Sequence, residues 1–485
     1  MTMSDFRRQH PIVIVTGVFR ELRSFILPFL IFLVLSVLGE EATVFGGRGV
    51  LIFALISIGF SMLAGLLKWV FFRYAVSETV IQIHSGVFIK KQRHIKRERI
   101  QTISLEAGLW HRIFNLTAMN IETAGNLGES ELQIQAIPIE EAETIRNQLT
   151  REQTEDEHTL GEADSAPGPK QVLNALTLFK AGLTSGSVMV VMLLMAAFVG
   201  QLIFFLPSSV FEQVLNLVPL IGWRYYLFVG SVLILVAWII SVFRYMIRYG
   251  AFTIRLEGDD LIMTRGLIVL KTLTLKSHRI QSVIITQGLL REPFRYATIE
   301  VRAAGGRADD ETLSGTVIHP LIKMDAIPDF LAAFLPDVQR HEDITPVPTR
   351  ARIRFLIRNL ALPTLALSLG FLDIRFLWVA LSLPFLTVLA LAQHAHAGTA
   401  FSHDAITLQM RGVAKKWVMA RKPHVQALSA RQSLIQRVRR LSTVAIHILA
   451  TPSAAIFSVR DVDLTTADQL YQWLKHPKLP KTTRD

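Results

Sequence analysis

A chain of 485 residues with 51% hydrophobic and 19% charged side chains is too apolar to be wholly soluble, since about a quarter charged is usual for a soluble domain. It has no cysteine, which excludes disulfides, thiolate zinc sites, iron–sulfur clusters and cysteine nucleophiles. Its net charge of +12 suits either the cytoplasmic side of a membrane or nucleic acid, and location has to choose between them.

Apolar runs punctuate the chain. The first, Phe25 to Leu38, follows Arg7, Arg8, Arg20 and Arg23. It lacks a small-residue cleavage site and a second run follows at once, so it reads as a retained anchor. Val50 to Phe72 carries one lysine, Lys68, placed to snorkel to the interface beside Trp69 and Arg73. Gly182 to Leu206 and Tyr225 to Phe243 contain no charge at all. Phe355 to Leu372 and Phe376 to Leu391 complete a set of six, and the last pair could instead be a re-entrant hairpin. A crossing needs about 20 helical residues. Basic residues concentrate on one side of the runs, at Arg23, Arg73, Arg244, Arg248, Arg350 and Arg352, while the connections on the other side carry only Arg48, Arg224 at an edge and Arg375. Both termini and all polar regions are therefore expected on the cytoplasmic face of a bacterial inner membrane.

The polar regions repeat. Gly-Val-Phe-Ile-Lys-Lys from Gly86 and Arg-Ile-Gln-Thr-Ile-Ser-Leu from Arg99 match Gly266 and Arg279 onward at a constant spacing. The match continues without a gap through Leu109 and Leu289, Phe114 and Phe294, and Gly125 and Gly305. A more diverged third copy has Gly412, then His424-Val425-Gln426, then Leu434, Arg437 and Leu441. Each copy follows a pair of apolar runs.

Within a copy, short apolar segments alternate with turn residues. In the first these are Val80–Ile83, Val87–Ile89, Ile100–Leu105, Met119–Thr123 and Leu132–Ile137, with Gly86 at a hairpin turn. Asn126–Glu129 and Gly305–Asp310 read as further hairpin loops. Helical patterns close the copies at Pro138–Leu149, Met324–Leu335 and Thr465–Leu474. Glu140, Glu141 and Glu143 suit the first of these helix N-termini. The expected fold class is α+β: six membrane helices in three pairs, each pair followed by a small β-sandwich with a C-terminal helix. The boundaries fall at 1–73 and 74–150, a linker 151–180, then 181–248 and 249–336, a linker 337–352, then 353–393, 394–476 and a tail 477–485.

The pattern Tyr74-x-Val…Gly86-Val…Arg99-Ile-Gln…Leu109…Phe114…Ile121…Ala124-Gly125, and its second copy, resembles the bacterial PH-like domain of YdbT-like membrane proteins. The third copy departs from it at His424 and at Leu449-Ala450. The resemblance implies a PH-like split barrel and brings no catalytic activity with it.

Candidate contact residues for lipid or a partner are Lys90, Lys91, Arg93, Lys96, Arg97 and Arg99 in the first copy and Arg279 in the second. The third copy adds Lys415, Lys416, Arg421, Lys422, Arg437, Arg439 and Arg440. Between His396 and Arg460 the only acid is Asp404, so this basic set has no acidic neighbour in its own sequence. Near an anionic membrane each basic residue is worth about 1 kcal/mol. An ordinary solvated strand face is the alternative, and Arg99 and Arg279 could simply brace strands. His394, His396, His403 and Asp404 read as an interfacial patch rather than a metal site. No phosphate-loop or zincin motif is present, and neither cofactor, metal nor catalytic residue is expected. Nucleic acid lacks stacking aromatics among the basic residues. The leading reading is a non-enzymatic scaffold whose partners are membrane lipids and another membrane protein or peptide, possible roles being envelope maintenance or resistance. The other is a transporter or lipid-handling protein.

Overall fold

A computed structural model describes residues 6–17, 47–123 apart from 78, 88, 98 and 99, 132–150, 168–186, 191, 223–303, 315–338, 343–368, 379–449 and 455–475. The chain divides into two units, Met1–Ala166 with Ile268–Thr274, and Pro167–Leu267 with Leu275–Asp485.

In the first unit, helix α1 (Gly47–Phe71) leads into strands β1 (Arg73–Val76), β2 (Val80–Ser85) and β3 (Lys91–Lys96). Next come β4 (Ile100–Ala107), α2 (Leu109–Ile113), β5 (Leu116–Thr123), β6 (Leu132–Pro138) and α3 (Ile139–Thr150). β1, β2 and β3 form one antiparallel sheet and β4, β5 and β6 run antiparallel in another. Alternation sends Ile81, Ile83 and Ile95 from the first sheet and Ile103, Met119, Ile121 and Ile134 from the second into one core. Ala142, Ile145 and Leu149 of α3 close it, one helical turn apart. The N-terminal segment joins this unit where Arg7 bridges Tyr74 and pairs with Glu141 at 2.8 Å.

The second unit opens with β7 (Lys170–Val172), α4 (Ala175–Leu183) and α5 (Trp223–Tyr249). β8 (Thr253–Glu257) and β9 (Asp260–Arg265) follow, then β10 (Leu270–Lys276), most of which belongs to the first unit, then β11 (Ile280–Gln287), β12 (Tyr296–Ala303), β13 (Thr316–Lys323) and α6 (Ile327–Phe334). The third copy comprises β14 (Thr345–Pro346), α7 (Arg352–Ser368), α8 (Ser382–His396), β15 (Gly398–Phe401), β16 (Ala405–Arg411) and β17 (Lys415–Arg421), then β18 (Val425–Arg431), α9 (Leu434–Val438), β19 (Leu441–Ile448), β20 (Ala455–Asp463) and α10 (Leu464–Lys475).

The repeat read from sequence is a repeat of structure. Gly86 and Gly266 both take positive φ, 105° and 110°, and a Cβ at Gly86 would lie 1.9 Å from the Ile89 carbonyl oxygen. Asn115, Arg295 and Arg440, each fourteen residues after the glutamine of its copy (Gln101, Gln281, Gln426), are all left-handed, with φ of 55°, 54° and 51°.

Two expectations change. The second and third copies are not closed, separate sandwiches: β11 pairs antiparallel with β17, from Ser282 opposite Ala420 to Gln287 opposite Lys415, in a sheet ordered β13-β12-β11-β17-β16-β15-β14. An edge strand of one copy thus satisfies the edge of the next. β18, β19 and β20 form a separate three-stranded sheet.

Of six expected spans, two helices among the described residues are long and apolar enough to cross a bilayer, Gly230–Tyr249 and Val379–His396. The first span, 25–38, and most of the third lie outside the described residues. The apolar part of α1 is shorter, Leu55–Phe71. α7 is 17 residues long as described, with Arg352, Arg354 and Arg358 in its first two turns. The loops at 126–129 and 305–310 and most of the first linker also lie outside the described residues.

Candidate functional site

The basic residues separate into three settings. On β3 the register places Ile95 opposite Ile81 and Arg93 opposite Ile83. Ile95 is buried while Lys91, Arg93 and Lys96 are exposed, and Lys90 is exposed just before the strand. Arg97 is committed elsewhere, since its Nε donates to the Leu149 carbonyl at 3.2 Å and ends α3. Arg99 lies outside the described residues. Arg279 is half-buried between strands, with its Nε shielded from solvent and without a hydrogen-bond partner, so it is not part of a surface cluster.

In the third copy the expected uncompensated cluster is partly neutralised by the second copy. Glu292 receives Arg411 in a bidentate pair at 3.1 and 3.0 Å and Lys415 at 2.6 Å. Burial raises the Glu292 carboxyl, but hydrogen bonds from Lys415 and Arg411 outweigh it and hold the group below the usual carboxylate range. Arg421 pairs with Asp337 at 3.1 Å. Lys422 lies 5.2 Å over the Trp473 ring. These acids are distant in sequence, which is why a local charge count misses them. Lys416 is exposed opposite Thr286.

Arg437, Arg439 and Arg440 form the third setting, at α9. Arg439 Nη1 donates to the Arg350 carbonyl at 3.1 Å, and Arg350 Nε returns a bond to the Arg439 carbonyl at 3.0 Å. The Arg437 and Arg440 side chains are exposed. Histidines 394, 396 and 403 are spread over separate partners: the Pro348 carbonyl, Gln409 and Asp404.

Sequence reading missed a feature beside these arginines. Each copy carries a short knuckle between the fourth and fifth strands of the copy, or their equivalents, with large apolar side chains turned outward. Leu109, Trp110 and Ile113 (70% exposed) project from α2. Leu289, Leu290 and Phe294 (64%) project from the second copy, and Leu434, Ile435 and Val438 (86%) from α9. An inward polar residue anchors each knuckle, always ten residues after the glutamine of its copy. His111 donates from Nε2 to the Gln135 carbonyl at 2.9 Å. Arg291 is buried and donates to the Ala181 and Pro320 carbonyls, both at 3.0 Å, and to Thr184 Oγ1 and Thr298 Oγ1. Gln436 donates to Asp461 Oδ1 at 2.8 Å and completes a capping box with Ser433. The signal was present in sequence: apolar residues in a helical stretch too short to contribute to a core.

The bacterial PH domain family matches this sequence three times, at residues 24–153, 190–333 and 355–478. The chain belongs to the bacterial PH domain family. It is 28% identical over 499 residues to the UPF0699 transmembrane protein YdbT of Bacillus subtilis (strain 168), covering 98% of this chain and 99% of that protein. No solved structure matches it. The chain is a transmembrane protein with repeated bacterial PH domains, of mixed α+β structure.

Proposed function

We propose that this is a non-enzymatic, multi-pass protein of the bacterial inner membrane that holds three PH domains at the cytoplasmic face, where they bind a partner protein, a peptide or anionic lipid. Three units, each a helix pair followed by a PH domain at 74–150, 249–336 and 394–476, account for the threefold match and the apolar runs. Both termini are cytoplasmic in this reading, and envelope maintenance or resistance is its setting. The observation that carries it is the exposed basic edge formed by Lys90, Lys91, Arg93 and Lys96. Such an edge repels a second basic strand and attracts an anionic surface.

The test uses the full chain in nanodiscs of phosphatidylcholine or phosphatidylglycerol. Lys90, Lys91 and Lys96 are expected to react several-fold more slowly with an amine-modifying reagent in phosphatidylglycerol, and the difference should shrink with salt because exposed charges are screened over about 10 Å at 0.1 M. Equal rates in both lipids at low salt would remove anionic lipid as the ligand and leave a protein or peptide.

A further inference from the structure

We propose that the three knuckles are membrane-inserting elements, whose apolar side chains enter the hydrocarbon at the cytoplasmic leaflet beside the membrane helices. This rests on the chain being transmembrane and is independent of which partner or headgroup the PH domains bind.

Depth is clearest in the second domain. Leu290 and Phe294 share an apolar cleft of about 940 Å³ with Leu235 and Trp238 of α5, and Lys180 also lines it. Charge returns to this helix only at Arg244. Trp238 lies six residues earlier, which at 1.5 Å per residue is about 9 Å on the apolar side of that point. A side chain level with Trp238 is therefore inside the acyl region, at the depth of about 5–10 Å reached by interfacial helices. Arg291 fixes the knuckle there, because its bonds to the Ala181 carbonyl and Thr184 tie it to the end of α4. α4 itself exposes Leu176 and Phe179, which suits a helix lying along the interface.

The other two knuckles have the same neighbours. In the first domain the ring of Phe114, next to α2, is 6.5 Å from His10, and Leu116 packs in a small cluster with Val13, Ala136 and Trp69. Trp69 is two residues from the cytoplasmic end of α1, with Arg8 5.7 Å over its ring, a usual arrangement for an interfacial tryptophan. In the third domain Gln436 shares Asp461 with Arg354 and Arg358, which places α9 beside the first two turns of α7. Each apolar tip has arginine at its border: Arg112, Arg295, which pairs with Asp325 at 2.8 Å, and Arg437 with Arg440. An apolar tip with arginine at its border fits a bilayer surface better than water. The third domain, most diverged in sequence, keeps the most exposed tip.

Because the chain has no cysteine, single cysteines are unambiguous. Ile113→Cys, Leu290→Cys and Val438→Cys, each carrying a nitroxide in the full chain, are to be reconstituted into phosphatidylcholine vesicles, with Asp329→Cys on the exposed face of α6 as the aqueous reference. At all three knuckles oxygen should relax the label several-fold more than a water-soluble nickel chelate, the reverse of position 329. Leu109→Cys, Phe294→Cys and Leu434→Cys substitute where a first variant fails to fold. Nickel access equal to position 329 at any one of the three knuckles overturns the proposal. Zwitterionic lipid keeps this result separate from the anionic-lipid test.

Discussion

Replacing Asp461 by alanine is expected to weaken the third PH domain by about 3 kcal/mol, the lower end of the range for breaking a buried ion pair. Asp461 is 1% exposed, sits in β20 with a left-handed φ of 62°, and has no room to be solvated. Its carboxylate takes Arg354 Nε at 2.6 Å, Arg358 Nη1 at 3.5 Å and the Gln436 amide at 2.8 Å. One carboxylate therefore connects α7, the knuckle and β20. Both arginines are partly exposed and can turn toward the interface, which places the cost at the lower end. Asp461→Asn keeps the shape and the bond from Gln436 but loses the charge, so it should cost less. Amide exchange in nanodiscs measures this locally: about 3 kcal/mol is a hundredfold or more loss of protection for β19 and β20. Unchanged protection would show that α7 is not docked through this residue. Replacing Asp461 and Arg354 together by apolar residues should cost less than Asp461→Ala, since no unpaired charge remains at Arg354.

The repeat, the closing helices and the glycine turns are legible in sequence because they depend on local chemistry. The helix expected at Pro138–Leu149 is Ile139–Thr150, and that at Thr465–Leu474 is Leu464–Lys475. Val87–Ile89 has the composition of a strand, but Val87 and Ile89 lie outside any strand. The strand begins at Lys91, and Ile89 is exposed in the turn, because the register Ile81–Ile95 leaves the residues after Gly86 to span the hairpin. Apolar character near a membrane does not imply a core, and the same ambiguity hides the knuckles. Sharing of sheets between copies leaves one trace. Val283, Ile284 and Ile285 are apolar on both faces, as a central strand requires. Pairing of Glu292 with Arg411 and Lys415 spans more than a hundred residues and leaves no local pattern.

Acidification from pH 7 to pH 4 is expected to cost the second PH domain about 3 kcal/mol through His319 alone. His319 lies in β13, 2% exposed, with neither ring nitrogen hydrogen-bonded and Phe330 edge-on at 5.2 Å. Burial pushes its pKa from 6.5 down to about 4. The folded state therefore holds it neutral while the unfolded chain takes up a proton below pH 6.5, so stability is full above that value and is lost as pH falls toward 4. A tenfold difference in proton affinity between the folded and unfolded chain is worth about 1.36 kcal/mol, which sets the size. Glu300 on the neighbouring strand β12 opposes this. Burial pushes its carboxyl up to about 7, against attraction from Lys416, Arg302 and Arg291. The folded state keeps that proton longer than the unfolded chain, so its contribution falls as pH rises from 4.5 through 7. The two slopes partly cancel between pH 4.5 and 6.5, and the wild-type curve alone conceals both. Differences separate them. His319→Leu should gain on the wild type steadily as pH drops below 6.5, and Glu300→Gln should gain as pH rises above 4.5. Exchange protection of β12 and β13 amides across pH, corrected for intrinsic rates, reads both. A constant offset between His319→Leu and wild type over the whole acid range would mean that His319 reaches water or a partner in the folded protein.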